Sequence, residues 1–172
     1  FAKTKYAELP IYIKKKIAIV IVLLLKADLL STWRTGFSDI KRFLSQGEST
    51  MHLWLKILYY IDEEIVNPTN ASQSELNYYT KFKDYMREHE LKGLVEVWLK
   101  LLEYCSGKNE KSSLSIAKAC LKMVSVYIPW IDVSFSANQR FLKLLGKFCT
   151  QPATCLPTLM CLQSLMEKGM PP

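Results

Sequence analysis

Apolar residues recur at helical spacing along nearly all of this 172-residue sequence, with no convincing strand between them. After Pro10, a residue suited to a first helical turn, Ile13, Ile17, Val20, Ile21 and Leu24 fall on one face. Ile19, Val22, Leu23 and Leu25 make the other faces apolar too, so this helix is expected to be covered on more than one side. The Ile/Val run would also suit a strand, but its length and the missing turn residues favour helix. Six glycines and seven prolines are too few for the tight turns of an all-β fold. The 49% hydrophobic and 23% charged fractions exclude disordered, collagen-like and coiled-coil chains.

About eight helices are expected. Ser31-Thr32 caps a second, with Trp33, Phe37, Ile40 and Leu44 on its apolar face, stopping near Gln46-Gly47. Ser49 or Thr50 caps a third through Leu53, Trp54, Ile57, Leu58 and Ile61, until Asn67-Pro68 breaks it. The chain is then polar to about Ser74, and a charged helix runs from Glu75 to Glu90. The next carries Leu91, Leu94, Val95, Trp98, Leu101 and Leu102, with Glu96 and Lys100 paired on its other face. Past Ser106-Gly107-Lys108-Asn109, Ser112 or Ser113 precedes a helix through Leu114, Ala117, Leu121, Val124 and Tyr127. Pro129 breaks it. Ser134 opens a helix through Phe135, Phe141, Leu144, Leu145 and Phe148, and Pro152 and Pro157 mark a last one ending at Gly169.

Helix starts near Pro10, Ser49, Lys111 and Pro152 are 39, 62 and 41 residues apart. Two of these intervals fit the roughly 40–47-residue period of HEAT helix pairs. The long one exceeds it by the size of a polar segment around residues 67–88, read as an insertion. The expected fold is therefore all-α, a HEAT-repeat helical solenoid (an α-α superhelix), with residues 1–172 forming a single repeat segment. A closed helical bundle is the alternative. The chain starts at Phe1 and ends Gly169-Met170-Pro171-Pro172, which reads as a piece of a longer chain.

Chemistry-bearing motifs are sparse. The nine-residue apolar run Ile17–Leu25 lacks a cleavage site and falls short of the roughly 20 residues of a membrane span, so it reads as a buried helix and no membrane insertion is expected. Five cysteines, Cys105, Cys120, Cys149, Cys155 and Cys161, form no CxxC pair and read as reduced core residues of an intracellular chain. There is no glycine-rich phosphate cradle and no nucleophile elbow. His52 and His89 read as helix surface, and Asp62-Glu63-Glu64 as a solvated helix end rather than a metal site. No catalytic residue, no metal site and no cofactor is expected; the chain does not read as an enzyme.

Charge placement remains. Basic residues exceed acidic by seven, with +5 over 1–50, −2 over 51–100 and +4 beyond. Lys111, Ser115, Lys118, Lys122 and Ser125 form one polar stripe, and Arg140, Lys143 and Lys147 another. If the two helices share a repeat, these rows can lie near each other. A phosphate-binding surface has this form, and so do the solvated faces of a basic solenoid.

Within residues 10–40, Tyr12-Ile13-Lys14-Lys15-Lys16-Ile17-Ala18, the apolar run, Trp33 and Phe37-Ser38-Asp39 resemble a stretch shared by nuclear export receptors of the karyopherin-β (importin-β) superfamily. Asp84–Cys105 and Tyr127–Leu145 resemble the tRNA exportin (exportin-t) family more specifically. The second of these holds Trp130, Ile131, Asp132, Asn138, Arg140 and Phe141 in place, and Lys168-Gly169-Met170 is also similar. The Lys14–Lys16 cluster is denser and the apolar run more aliphatic than the family pattern.

The resemblance implies a HEAT solenoid several times longer than this chain, which carries mature tRNA from nucleus to cytoplasm with Ran GTPase in its GTP form. It implies shuttling through the nuclear pore, contact with nuclear pore proteins, and no catalysis by the receptor itself. It further implies that N-terminal repeats wrap Ran and that concave basic surfaces hold RNA by shape and backbone charge. No residue here is assigned to Ran. Lys118, Lys122, Arg140, Lys143 and Lys147 are the candidate RNA contacts. Trp130, Ile131, Asp132, Asn138 and Phe141 are read as packing and capping residues. The alternative function is a HEAT scaffold or protein-cargo karyopherin that binds no RNA.

Overall fold

The computed structural model describes residues 3–169, in which ten α-helices and no strand occur. The resemblance at Lys168-Gly169-Met170 thus reaches one residue, Met170, outside the described residues. Two compact units divide the chain, the first through Glu90 and the second from Leu91.

The first unit holds α1 (Lys3–Glu8), α2 (Ile11–Asp28), α3 (Gly36–Lys41), α4 (Glu48–Ile61) and α5 (Gln73–Tyr85). Pro10 stands just before α2, and Gly47 just before α4. The cap of α4 is therefore Gly47, with φ of 119°, and not Ser49 or Thr50. α2 packs on α4; Ala18, Val22 and Leu25 of α2, Leu29 just past its end, and Trp54, Ile57, Leu58 and Ile61 of α4 are all fully buried. This corrects the expected core stripe of α2. Val20 and Leu24, assigned to it, are 54% and 48% exposed, and Leu23 is 46% exposed. In a run apolar on all sides the period does not choose a face. Other elements also reach the C-terminal half of α2: the Tyr78 hydroxyl of α5 donates to the Lys26 carbonyl, Lys26 lies over the Tyr79 ring, and Gly36 of α3 lies against Leu25.

The second expected helix is shorter than its pattern. Residues 31–35 form turns, Thr35 precedes α3, and Ser31 and Thr32 hydrogen-bond back to Asp28 instead of capping. α4 runs on into a π-type turn over 62–66, closed by the Asn67 amide donating to the Asp62 carbonyl at 2.8 Å. Asp62 is buried there and accepts from Asn67 Nδ2 at 3.2 Å, so it is not part of a solvated helix end. His52 is half-buried, and burial followed by the Lys56 charge lowers its pKa, against its reading as helix surface. Residues 67–88 are a short polar loop followed by α5, which starts at a Ser72/Glu75 capping box and ends in a π-type turn over 86–90. Tyr79, Phe82 and Met86 are buried, and the Tyr85 hydroxyl donates to the Arg34 carbonyl at 3.2 Å.

The second unit holds α6 (Leu91–Cys105), α7 (Lys111–Tyr127), α8 (Val133–Ser136), α9 (Gln139–Cys149) and α10 (Pro152–Gly169). The starts of α7 and α10 fall on Lys111 and Pro152, two of the residues the repeat spacing rests on. The helix expected from Ser134 is two helices, because residues 137–138 leave helical geometry and Asn138 caps a new start. α6 packs with α7, and α9 with α10; across the pairs, α7 lies on α10 and α6 on α9. Trp98, Cys105, Ala117, Leu121, Tyr127, Leu145, Phe148 and Cys161 fill the space between, with Trp98 and Tyr127 edge to face at 5.2 Å. Two helix pairs stacked layer on layer are the building block of a HEAT array. No helix among the described residues is long and apolar enough to cross a membrane.

Candidate RNA-binding surface

The basic stripe of α7 forms because its other positions are consumed by packing. Ile116, Ala117, Cys120, Leu121, Val124 and Tyr127 face α6 and α10, leaving Lys111, Ser115, Lys118 and Lys122 exposed; Ser125, at the end of the stripe, is buried. α9 divides in the same way. Phe141, Leu144, Leu145 and Phe148 are buried, and Arg140, Lys143 and Lys147 are exposed on the opposite side.

The two rows do not stand side by side. α7 belongs to the α7–α10 layer and α9 to the α6–α9 layer, so the helices occupy diagonal places in the four-helix arrangement. They share neighbours rather than a face, and each row is a separate candidate surface.

Arg140 differs from the lysines. Its Nε and Nη2 donate to the two carboxylate oxygens of Glu103 at 2.6 and 2.7 Å, and its Nη1 donates to Glu96 at 2.9 Å. Lys100 pairs with the other oxygen of Glu96 at 3.7 Å. The guanidinium holds the Glu103 carboxyl below the usual range, and the hydrogen bonds Arg140 donates to Glu103 and Glu96 raise its own pKa in turn. Two carboxylates and two cations leave this α6–α9 cluster without net charge. In the structure Arg140 joins two helices and presents little positive field to a phosphate. The sequence offered one sign of this: Glu96, Lys100 and Glu103 fall at i, i+4 and i+7, on one face of α6.

The remaining residues of the tRNA-exportin-like segment form the junction between α7 and α9. Trp130 stacks obliquely on Tyr127 at 5.0 Å, and Ile131 is 2% exposed. The Asp132 carboxylate accepts from the Ser134 amide at 2.8 Å and takes the Ser134 hydroxyl as well, which lowers its pKa. Asn138 Oδ1 accepts from the Phe141 amide at 2.9 Å while its Nδ2 donates to the Phe135 carbonyl at 2.8 Å. Phe141 closes the core with Val95, Trp98, Leu99, Val124, Ile131 and Phe135. Trp33, Phe37 and Asp39 of the first segment behave alike: the Trp33 indole N–H donates to Asp39 at 2.9 Å, and Phe37 is buried against Phe82. Among the described residues no group of three or more His, Cys, Asp and Glu is placed to hold a metal ion.

Stacked helix pairs whose exposed faces carry charge instead of a reactive cluster define a HEAT-type helical-repeat protein. Residues 10–162 match the family described as Exportin 1-like protein. The chain belongs to that family and, with it, to the importin-β superfamily of helical solenoids. It is 33% identical over 161 residues to Exportin-T of Dictyostelium discoideum, covering 93% of this chain and 14% of that protein. To Exportin-T of Homo sapiens it is 32% identical over 162 residues, 94% of this chain and 16% of the relative. Exportin-T of Danio rerio is 30% identical over 162 residues, again 94% and 16%. The chain thus spans about one-sixth or less of the length of these relatives.

Proposed function

We propose that this chain is a segment of a nuclear export receptor that carries mature tRNA from nucleus to cytoplasm as a complex with Ran GTPase in its GTP form. The observation that carries this reading is the similarity to proteins named Exportin-T over about 94% of the chain, in organisms as distant as Dictyostelium discoideum and Homo sapiens. The receptor shuttles through the nuclear pore, touching nuclear pore proteins, and catalyses no reaction itself. Because tRNA is a folded A-form object, a carrier of many tRNAs reads backbone and shape rather than base edges. Exposed lysines at helical spacing meet that need, and Lys118 and Lys122 on α7 are the foremost candidates, with Lys143 and Lys147 on α9 as a separate second row. The continuous segment 1–172, with 67–88 as its departure from the repeat period, is the portion of the solenoid concerned.

The neutralised Arg140 cluster favours a second reading, a HEAT scaffold or protein-cargo receptor whose lysines are only solvated. Labelled tRNA titrated into the full-length receptor, with and without GTP-loaded Ran and at two salt concentrations, separates them. Uptake that requires Ran and weakens steeply with salt supports tRNA export, since counterion release governs phosphate binding. Ran binding with no tRNA uptake moves the cargo to protein.

A further inference from the structure

One hydroxyl of the first unit stands in a charge pattern that neither the packing nor the lysine rows use. Ser45 is the one serine or threonine of the sequence with an arginine, Arg42, three residues before it, and Lys41 adds a cation four residues before. Lys41, Arg42 and Ser45 are all exposed. The Arg42 side chain is 79% exposed, and its ion pair with Asp39 is a loose 3.6 Å. Arg42–Ser45 is a single turn of 3-10 helix between α3 and α4, a form with poorer hydrogen-bond geometry than an α-helix. Ser45 Oγ donates to the Arg42 carbonyl at 3.0 Å. Gly47, with φ of 119° and open space where a Cβ would stand, then leads into α4, whose first turn has no side-chain cap. No residue from 42 to 47 is buried, so drawing this stretch out locally uncovers no core side chain.

We propose that Ser45 is a phosphorylation site for a basophilic serine/threonine kinase, one whose substrate groove is lined by carboxylates. With the stretch drawn out, Arg42 sets its guanidinium fork on a groove carboxylate, a bidentate pairing that lysine does not reproduce, and Lys41 adds a point charge. Ser45 Oγ then attacks the γ-phosphorus of magnesium ATP. The Oγ–P bond forms, the bond from that phosphorus to the β,γ-bridging oxygen breaks, ADP leaves, and the hydroxyl proton passes to the kinase's catalytic carboxylate. Ser125 and Thr150 have a lysine at the same distance, Lys122 and Lys147, in place of the arginine, and Ser125 is buried besides. The product places roughly two negative charges beside Arg42. Residues 41–48, with Lys41 and Arg42 against Glu48, then turn from basic to acidic within a stretch, 1–50, that carries +5.

The test incubates the intact, folded protein with magnesium ATP and the catalytic subunit of cAMP-dependent protein kinase, a basophilic enzyme, and maps phosphate by mass spectrometry. The expected result is one phosphoryl group per chain, on Ser45, and none in Ser45→Ala. Arg42→Ala should slow incorporation about tenfold or more, as loss of one charge-assisted pair requires, with Arg42→Lys between the two. Both side chains are exposed, so the unfolding midpoints of these variants should match that of the native chain, which separates lost recognition from lost structure. A synthetic peptide of residues 39–49 supplies a measurement that needs no variant: protein and peptide should both be modified at Ser45. A peptide that is modified while the folded protein is not, an unchanged rate for Arg42→Ala, or phosphate on Thr150 in preference to Ser45 overturns the proposal.

Discussion

Asp39 shows how one side chain fixes a bend in the chain. Its carboxylate accepts from the Trp33 indole at 2.9 Å and from the Thr35 hydroxyl at 2.8 Å, so the turn over residues 33–35 is tied to α3. These bonds, Trp33 first, hold its pKa below the usual carboxylate value. A carboxyl lowered in the folded state supports folding fully above its unfolded pKa, about 3.9. That support fades as the pH falls from there through the lowered folded value. Denaturant midpoints measured against pH should therefore drop more steeply at the acid end for the native chain than for Asp39→Asn, whose amide oxygen still accepts but does not titrate. Parallel curves would remove Asp39 from the acid response. Phe141 belongs to a different regime: at 3% exposed and packed against Val95, Trp98 and Val124, Phe141→Ala should cost about 3–5 kcal/mol in a denaturant titration. A loss below about 1 kcal/mol would mean the junction is less tightly packed than the structure has it.

At the scale of the element, most helices and the buried faces of α4, α6 and α9 were legible; α1, the division at residues 137–138 and the face of α2 were not. The starts expected near Pro10, Ser49, Lys111 and Pro152 fall within one residue of those of α2, α4, α7 and α10, since turn and first-turn residues act through local backbone geometry. The buried face of α2 was illegible because nothing local distinguishes Val20 and Leu24 from Val22 and Leu25; contact with α4 decides. The start of α3 was illegible for a related reason. Trp33 fits an apolar helical stripe, yet its indole is committed to Asp39 and the chain turns before Gly36. Gly36 itself is set by a close approach: a Cβ there would lie 2.6 Å from Leu25 Cδ2 and 3.4 Å from both Leu29 Cδ1 and Trp33 Cδ2. Leu25 is fully buried and has nowhere to retreat, so Gly36→Ala should destabilise by about 1–3 kcal/mol. Asn138→Ala removes the cap that restarts helix geometry at α9 and should cost about 1 kcal/mol. Both are read from thermal or denaturant unfolding; an unchanged midpoint for either would mean that its local geometry relaxes freely.

Across the whole molecule, the excess of seven basic residues sets a field that either binds an anion or merely keeps the surface solvated. The lysine rows could be read from spacing, but their electrostatic worth could not, because Glu96 and Glu103 lie 44 and 37 residues from the arginine they neutralise. That compensation divides the candidates. The α7 stripe is built of Lys111, Lys118 and Lys122 with serines between and beyond them, whereas the α9 row opens on a cation already shared between two glutamates. In the full-length receptor loaded with Ran-GTP, Lys118→Glu with Lys122→Glu should therefore weaken tRNA binding strongly and flatten its dependence on salt by roughly one unit of log–log slope per lysine. Arg140→Ala should leave that slope nearly unchanged and instead lower the unfolding midpoint, since it parts α9 from α6. The Glu96→Gln, Glu103→Gln pair supplies the converse: freeing the Arg140 charge should, if anything, tighten tRNA binding. A slope that drops for Arg140→Ala and not for the α7 reversals would place the RNA on the α6–α9 layer, and Lys143 and Lys147 would then be its contacts.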